Sequence, residues 1–339
     1  MAAVPVIALT GYLGAGKTTL LNHVLRVPGA RIGLVVNDFG VINVDSTLVS
    51  GQIDEPASIA GGCICCLPDD GNLDSALARL ADPKLALDAI IVEASGLAEP
   101  VTIARMLGFS RGERIRPGGV IDVIDAVNHF DTVDRGGLAP ARYAAASLIV
   151  VNKLDRVAVS QRSAFLHRVQ QRVAERNPDA HVVGSIAGRV DPSLLYDVAA
   201  SADQPGQLSL RDLLVDTGQQ PVDPHQHADS VTVTGQGCID PNALADLLEN
   251  PPDRVYRLKG AVTIRARAAE KSLVVNLVAG AAHIAAAPRR PTDNCLVAIG
   301  IGLDRPAVRE RLDAALRTHH GPAPADGMRR LRRYRRLDD

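Results

Sequence analysis

Tryptophan is absent from this chain, and all aromatic residues together make up only 3% of its 339 positions. Any core must therefore be aliphatic, which its hydrophobic content of 46% can supply. No uninterrupted apolar run reaches the roughly 18 residues that a membrane-spanning helix needs, so no membrane partner is expected. An excess of charge of one sign is also missing, with 37 Lys and Arg against 38 Asp and Glu. A net charge of −1 leaves no global field to hold nucleic acid, and none is expected as a partner. No basic region precedes Met1-Ala2-Ala3-Val4-Pro5, which runs straight into an apolar stretch and does not read as a signal peptide. Cysteines are few and odd in number, five in all. Three of them, Cys63, Cys65 and Cys66, stand too close together for a disulfide framework. Such thiols belong in a reducing compartment, and a cytoplasmic location is expected. The length exceeds one ordinary core, so two domains are the prior.

What the chain does have is centred on Gly11-Tyr12-Leu13-Gly14-Ala15-Gly16-Lys17-Thr18, which has the P-loop pattern of Gly, four residues, then Gly-Lys-Thr. It lies between an apolar strand, Val4 to Thr10, and a helix, Thr19 to Arg26. Backbone amides of such a turn, aimed by a helix N-terminus, cradle a polyphosphate. Lys17 would supply positive charge at the β- and γ-phosphates, and Thr18 a hydroxyl for Mg²⁺. Further apolar strands are predicted at 31–37, 86–92, 119–125, 147–151 and 181–185. Helices are predicted at 72–80, 101–107, 160–176 and 192–199, and a loop with a short hairpin at 41–59. This alternation predicts an α/β domain with a mainly parallel sheet and right-handed crossovers. Residues 202–228, rich in Gln, Asp and Pro, read as a linker. Beyond it, strands near 230–234, 255–264, 273–277, 281–286 and 295–300, with helices at 242–248 and 305–316, predict a smaller α+β domain. The predicted division is 1–201, linker 202–228, second domain 229–318, and a solvated Arg-rich tail 319–339. No internal repeat is found.

Four further motifs carry chemistry. Asn152-Lys153-Leu154-Asp155 follows a strand, where Asp155 can accept from both the ring N–H and the exocyclic amine of guanine, a pattern that adenine lacks. Lys153 would lie along the base, and Asn152 would tie this loop to the P-loop. Glu93-Ala94-Ser95-Gly96 ends a strand where an acid can hold Mg²⁺, with the Gly96 amide near the γ-phosphate. The plain alternative is a helix start capped by Ser95. Asp38, after the second strand, could position Mg²⁺ or the attacking water, or be a solvated loop acid. Gly61-Gly62-Cys63-Ile64-Cys65-Cys66 puts three thiols within reach of one soft ion and leaves a fourth tetrahedral position open. Small buried hydrophobes are the alternative. His225 and His227 are spaced for a weak accessory metal contact, and Cys238 and Cys295 read as structural.

Taken together, GYLGAGKTTLLNHVL, NDFG, GGCICC, VEASGLAEP, NKLD, SIAGRVDPSLL and the later RLKGAVTIRA and LVAIGIGLD resemble the CobW-type GTPases, a family of metallochaperones and metalloenzyme activators. The resemblance implies hydrolysis of GTP with Mg²⁺, with Lys17, Asp38 and Glu93 in catalytic roles. It implies nucleotide contacts from Gly11, Gly14, Ala15, Gly16, Lys17, Thr18, Thr19, Gly96, Asn152, Lys153, Asp155 and Ser185. Thr18 and Glu93 would serve Mg²⁺, and Cys63, Cys65 and Cys66 would bind Zn²⁺, with Co²⁺ as the alternative. The partner implied is a client metalloprotein, and self-association governed by nucleotide or metal is a further expectation. The family commonly has Asn-Glu-Phe-Gly-Glu where this chain has Asn37-Asp38-Phe39-Gly40-Val41, so one acid is lost and one shortened. Three readings stand at this point: a zinc chaperone, a cobalt chaperone for cobalamin synthesis or nitrile hydratase, and a GTP-dependent regulator or scaffold whose cysteines only pack.

Overall fold

The computed structural model describes residues 3–27, 30–37, 73–94, 114–196, 228–266, 269–287, 289–321 and 323–334. The predicted hairpin region at 41–59, the helix predicted at 101–107, nearly all of the linker, and the candidate site residues Asp38, Cys63, Cys65, Cys66, Gly96, His225 and His227 lie outside them.

Six strands form the first sheet: β1 (Val4–Gly11), β2 (Ile32–Asn37), β3 (Ala89–Ala94), β4 (Ile115–Asp125), β5 (Leu148–Asn152) and β6 (His181–Gly184). They run in the order β2-β3-β1-β4-β5-β6, every pairing parallel. Strands covered on both faces need continuous apolar runs, and β3 and β5 are buried throughout. Alternate residues serve opposite faces. Ile7, Leu9, Ala89 and Ile91 pack against Leu20, Leu21 and Val24 of α1 (Lys17–Leu25). Ile90 and Val92 pack on Leu77 and Leu80 of α2 (Leu73–Leu80). Ile149 and Val151 face Val169 and Val173 of α4 (Val159–Ala174). The short helix α3 (His129–Thr132) follows β4.

Strand β4 begins earlier than the hydropathy pattern predicts, because Pro117, Gly118 and Gly119 mask its first half. The glycines are required there by space. A Cβ on Gly118 would lie 2.8 Å from Ile7 Cγ1 and 2.9 Å from Val6 O, and the register slips between Val6 and Ala8 at that point. The helix expected at 192–199 is a 3₁₀ turn over Pro192–Leu194 in its described part, capped by Asp191.

The second sheet is antiparallel, in the order β10-β9-β8-β11-β7, from β7 (Asp229–Gly235), β8 (Val255–Ala266), β9 (Ala269–Val278), β10 (Ala281–Ala286) and β11 (Asn294–Gly300). Its register aligns Val231 with Ala298, Ala298 with Leu258 and Leu258 with Leu277, so one face is apolar. That face is covered by α5 (Pro241–Glu249), α6 (Arg305–Ala315) and α7 (Ala325–Arg332).

Helix α7 corrects the expectation of a solvated tail. Leu331 is buried in the second core, and Arg330 pairs with Asp246 and Glu249 of α5 at 2.5 and 2.6 Å. The arginines that suggest a solvated tail obscure an amphipathic helix whose Met328 and Leu331 lie on one side. The two sheets also meet. Tyr256, Val278 and Ile299 join the same apolar cluster as α1, Leu148 and Val183. Among the described residues, no helix is long and apolar enough to cross a membrane.

Candidate nucleotide-binding site

Strand order reverses at β1, and open α/β sheets bind ligands at the carboxyl ends of the strands beside such a reversal. The turn leaving β1 lies there. Gly11 and Gly16 have φ of +151° and +104°, and a Cβ on them would lie 2.6 Å from Val123 O and 2.2 Å from Asn152 Nδ2 respectively. Neither position tolerates a side chain. Gly16 is also the N-cap of α1 and offers no side-chain cap, so the first amides of the helix are left for a ligand. No acid stands in that first turn, as an anion site requires. Lys17 Nζ donates to Gly11 O at 2.9 Å, which lays the cation across the mouth of the loop. Ala15 is buried within the turn, Thr18 is half-buried, and Thr19 and Gly14 are open.

Glu93 follows Ile91 by two residues, so it shares the face that α1 covers, and it pairs in register with Leu9 two residues before the loop. It is only 4% exposed. A carboxylate at such burial needs a cation or donors at hand, and Lys17 and Thr18 open the helix above that face.

At the end of β5, Asn152 Nδ2 donates to Ala15 O at 3.0 Å, and its Oδ1 accepts from Gly188 N at 3.0 Å. One side chain thereby joins the P-loop, the NKLD turn and the loop after β6. Lys153 takes a left-handed φ of +62°, which turns Asp155 outward to an exposed position in the 3₁₀ turn Leu154–Arg156. Ser185 is fully buried and donates to Arg189 O at 2.9 Å. It shapes the loop, with its hydroxyl committed inward.

Three groups here escape sequence reasoning. Asp125, at the end of β4, accepts from Lys153 Nζ at 2.8 Å, from Val127 N and from Asn128 Nδ2. Burial opposes its ionisation, but those donors outweigh burial and hold its pKa below the usual carboxylate range. An acid at the carboxyl end of a central strand was the available signal. Under the P-loop, Thr10 Oγ1 donates to Asp122 Oδ1 at 3.0 Å, and Arg142 holds Asp122 by two bonds of 2.7 and 2.9 Å. Asp125, Arg142 and His129 line a cavity of about 140 Å³ beside Tyr12 and Leu13. Gly188 is the third, packed on the first turn of α1. Cys238 and Cys295 are free thiols, each with its pKa raised by burial. Among the described residues, no group of three His, Cys, Asp or Glu side chains converges.

A parallel sheet with this glycine cradle, a lysine across it and an acid on the adjoining strand defines a P-loop nucleotide-binding protein. More narrowly, the chain belongs to the CobW/HypB/UreG nucleotide-binding domain family, which it matches over residues 5–184. Residues 228–316 match the cobalamin synthesis protein CobW C-terminal domain. The zinc chaperone YjiA of Escherichia coli (strain K12) is 32% identical over 205 residues, covering 58% of this chain and 62% of that one. The zinc chaperone CobW of a Sinorhizobium species is 29% identical over 292 residues, 76% of this chain and 80% of its own. The crystal structure of Zn(II)-bound YjiA GTPase from E. coli covers 94% of this chain and 100% of its own, at 24% identity and a TM-score of 0.43.

Proposed function

We propose that the chain is a Mg²⁺-dependent GTPase that carries zinc on Cys63, Cys65 and Cys66 and delivers it to a client metalloprotein. The observation that supports this best is the Asn152 bridge, which brings a phosphate cradle and a guanine-type NKLD turn into one site. In this reading the turn amides, Lys17 and the N-terminus of α1 hold the β- and γ-phosphates, while Asp155 and Lys153 hold the base. Thr18 and Glu93 hold Mg²⁺, which supplies charge neutralisation on the phosphate oxygens when bound. Water adds to the γ-phosphorus, the bond to the β–γ bridging oxygen breaks, and GDP and phosphate leave. Lys17 offsets the charge that gathers on the transferring oxygens. Asp38 would orient the water, and the Gly96 amide would serve the γ-phosphate. The names of the relatives support zinc as the cargo, and three thiolates with an open fourth position suit a metal that must be handed on.

Nucleotide choice tests the site. The parent should bind GTP far more tightly than ATP, because Asp155 pairs with the ring N–H and exocyclic amine of guanine and meets no such pair of donors on adenine. Asp155→Asn should weaken GTP by roughly 10-fold or more and improve xanthosine triphosphate, whose exocyclic oxygen needs a donor. Equal affinity of the parent for ATP and GTP in equilibrium titrations would remove the assignment.

A further inference from the structure

The loop from Ser185 to Leu194 has two sides, and both are held. On the inner side, Gly188 N donates to Asn152 Oδ1 at 3.0 Å. Gly188 has φ +69° and sits so close to α1 that a Cβ would lie 2.5 Å from Leu20 N. His23 Nε2 on α1 stands 3.2 Å from Val190 O, donating in the tautomer that carries its hydrogen there. On the outer side, Asp191 caps the following turn through Oδ1, which accepts from Ser193 N and Oγ at 3.0 and 2.7 Å. Its Oδ2 accepts from Ala228 N, at the entrance to β7, at 3.0 Å. Arg257 of β8, only 3% exposed, donates through Nη1 to Ser193 O at 3.0 Å. Val190, Leu194, Leu195 and Tyr196 share one apolar cluster with Tyr256, Val278 and Ile299.

We infer that Arg257 and Asp191 are positioning residues for the nucleotide, through which the second sheet acts on the nucleotide site. The inference rests on the nucleotide reading above. The loop sets the amide of Gly188, that amide orients Asn152, and Asn152 holds both Ala15 O and the start of the NKLD turn. A loop of ten residues closed by its own Ser185–Arg189 bond has little slack, so a shift on the outer side reaches Asn152. Coupling of this kind is reciprocal for binding. Nucleotide should therefore tighten the Asp191–Ala228 contact by the factor that the contact tightens nucleotide.

The test uses the full chain with Arg257→Met, Arg257→Lys and Asp191→Ala. Folding is checked by circular dichroism, and release of a fluorescent GDP analogue is followed well below the melting transition. Arg257→Met and Asp191→Ala should release the analogue about fivefold faster. Arg257→Lys should fall between them and the parent, since an ammonium can still donate to Ser193 O. A merely structural role would lower the melting temperature and leave release from folded protein unchanged. In the parent, GDP should slow amide hydrogen exchange over 228–233, and Asp191→Ala should abolish that protection. If Arg257→Met does not fold, Asp191→Ala decides by the same two measurements. Folded variants that release at the parent's rate overturn the inference alone, whereas a parent that binds no guanine nucleotide removes the nucleotide reading with it.

Discussion

Proton placement under the P-loop follows from a short chain of buried groups. Arg172 holds Asp134 by bonds of 2.6 and 3.0 Å, and these hydrogen bonds keep that carboxyl well below its ordinary pKa. Tyr143 must give its one proton to Asp134, 3.2 Å away. His129, 2.5 Å from the same hydroxyl, must then donate through Nε2. Burial pushes the His129 pKa down to about 4, against the pull of Asp122 and Asp134. The unfolded chain would bind a proton near 6.5, so between about 4 and 6.5 it binds more protons than the folded one, and stability rises with pH. The contribution of His129 is complete above pH 6.5 and is lost as the pH falls towards 4, on the order of 3 kcal/mol in total. His129→Gln keeps a donor without a titrating group and should flatten the stability–pH curve over that window. An imidazole NMR titration with its midpoint near 6.5 would contradict this placement.

Helix α7 is the element whose docking is most open to test. Its eight residues are too few to persist alone in water, so the burial of Leu331 and the Arg330 pairs must hold it in place. Leu331→Ala should lower the stability of the second domain by about 2–5 kcal/mol, the usual cost of a buried leucine, read from urea midpoints. The bonds from Arg330 hold Glu249 below its ordinary pKa, so this pair stabilises above the unfolded carboxyl pKa and fades as the pH falls through the folded one. Acid should release α7 before it melts β8 and β9, as separate steps in amide exchange. Simultaneous loss of both would place α7 inside the cooperative core.

For the molecule as a whole, the proposal is that two ligands share one energy cycle. Replacing Cys63, Cys65 and Cys66 together by Ser should remove the tight equivalent of zinc and leave GTP binding largely intact, because hydroxyls keep the volume but are poor ligands for a soft ion. Thiols must lose protons to bind, so zinc uptake should release protons and weaken in acid. Removing His225 and His227 should matter much less. Whatever factor GTP exerts on zinc affinity relative to GDP, zinc must exert on GTP relative to GDP, and calorimetry in both directions checks the closure. A triple-Ser variant that still holds one zinc as tightly as the parent would leave a nucleotide-dependent scaffold as the better reading.

Local pattern alone determined the parallel sheet, the glycine cradle and the two-sheet organisation. Continuous Val, Ile and Leu runs admit few structures other than strands covered on both faces, and Gly11, Gly14 and Gly16 mark backbone that only glycine adopts freely. These are short-range constraints, readable one stretch at a time. The tertiary structure decided which polar groups would be partners. Lys153 meets Asp125 across 28 positions, Asp191 meets Ala228 across 37, and Arg257 meets Ser193 across 64. No periodicity encodes such pairs. Each exists because a buried donor or acceptor must be matched wherever the fold delivers it. Leu331 fits the same account, since an apolar residue among arginines looks solvated until a neighbouring helix offers a face to cover it. Strand and loop could therefore be read from adjacent residues, while the groups that orient the nucleotide site depend on contacts made only once the sheets had packed.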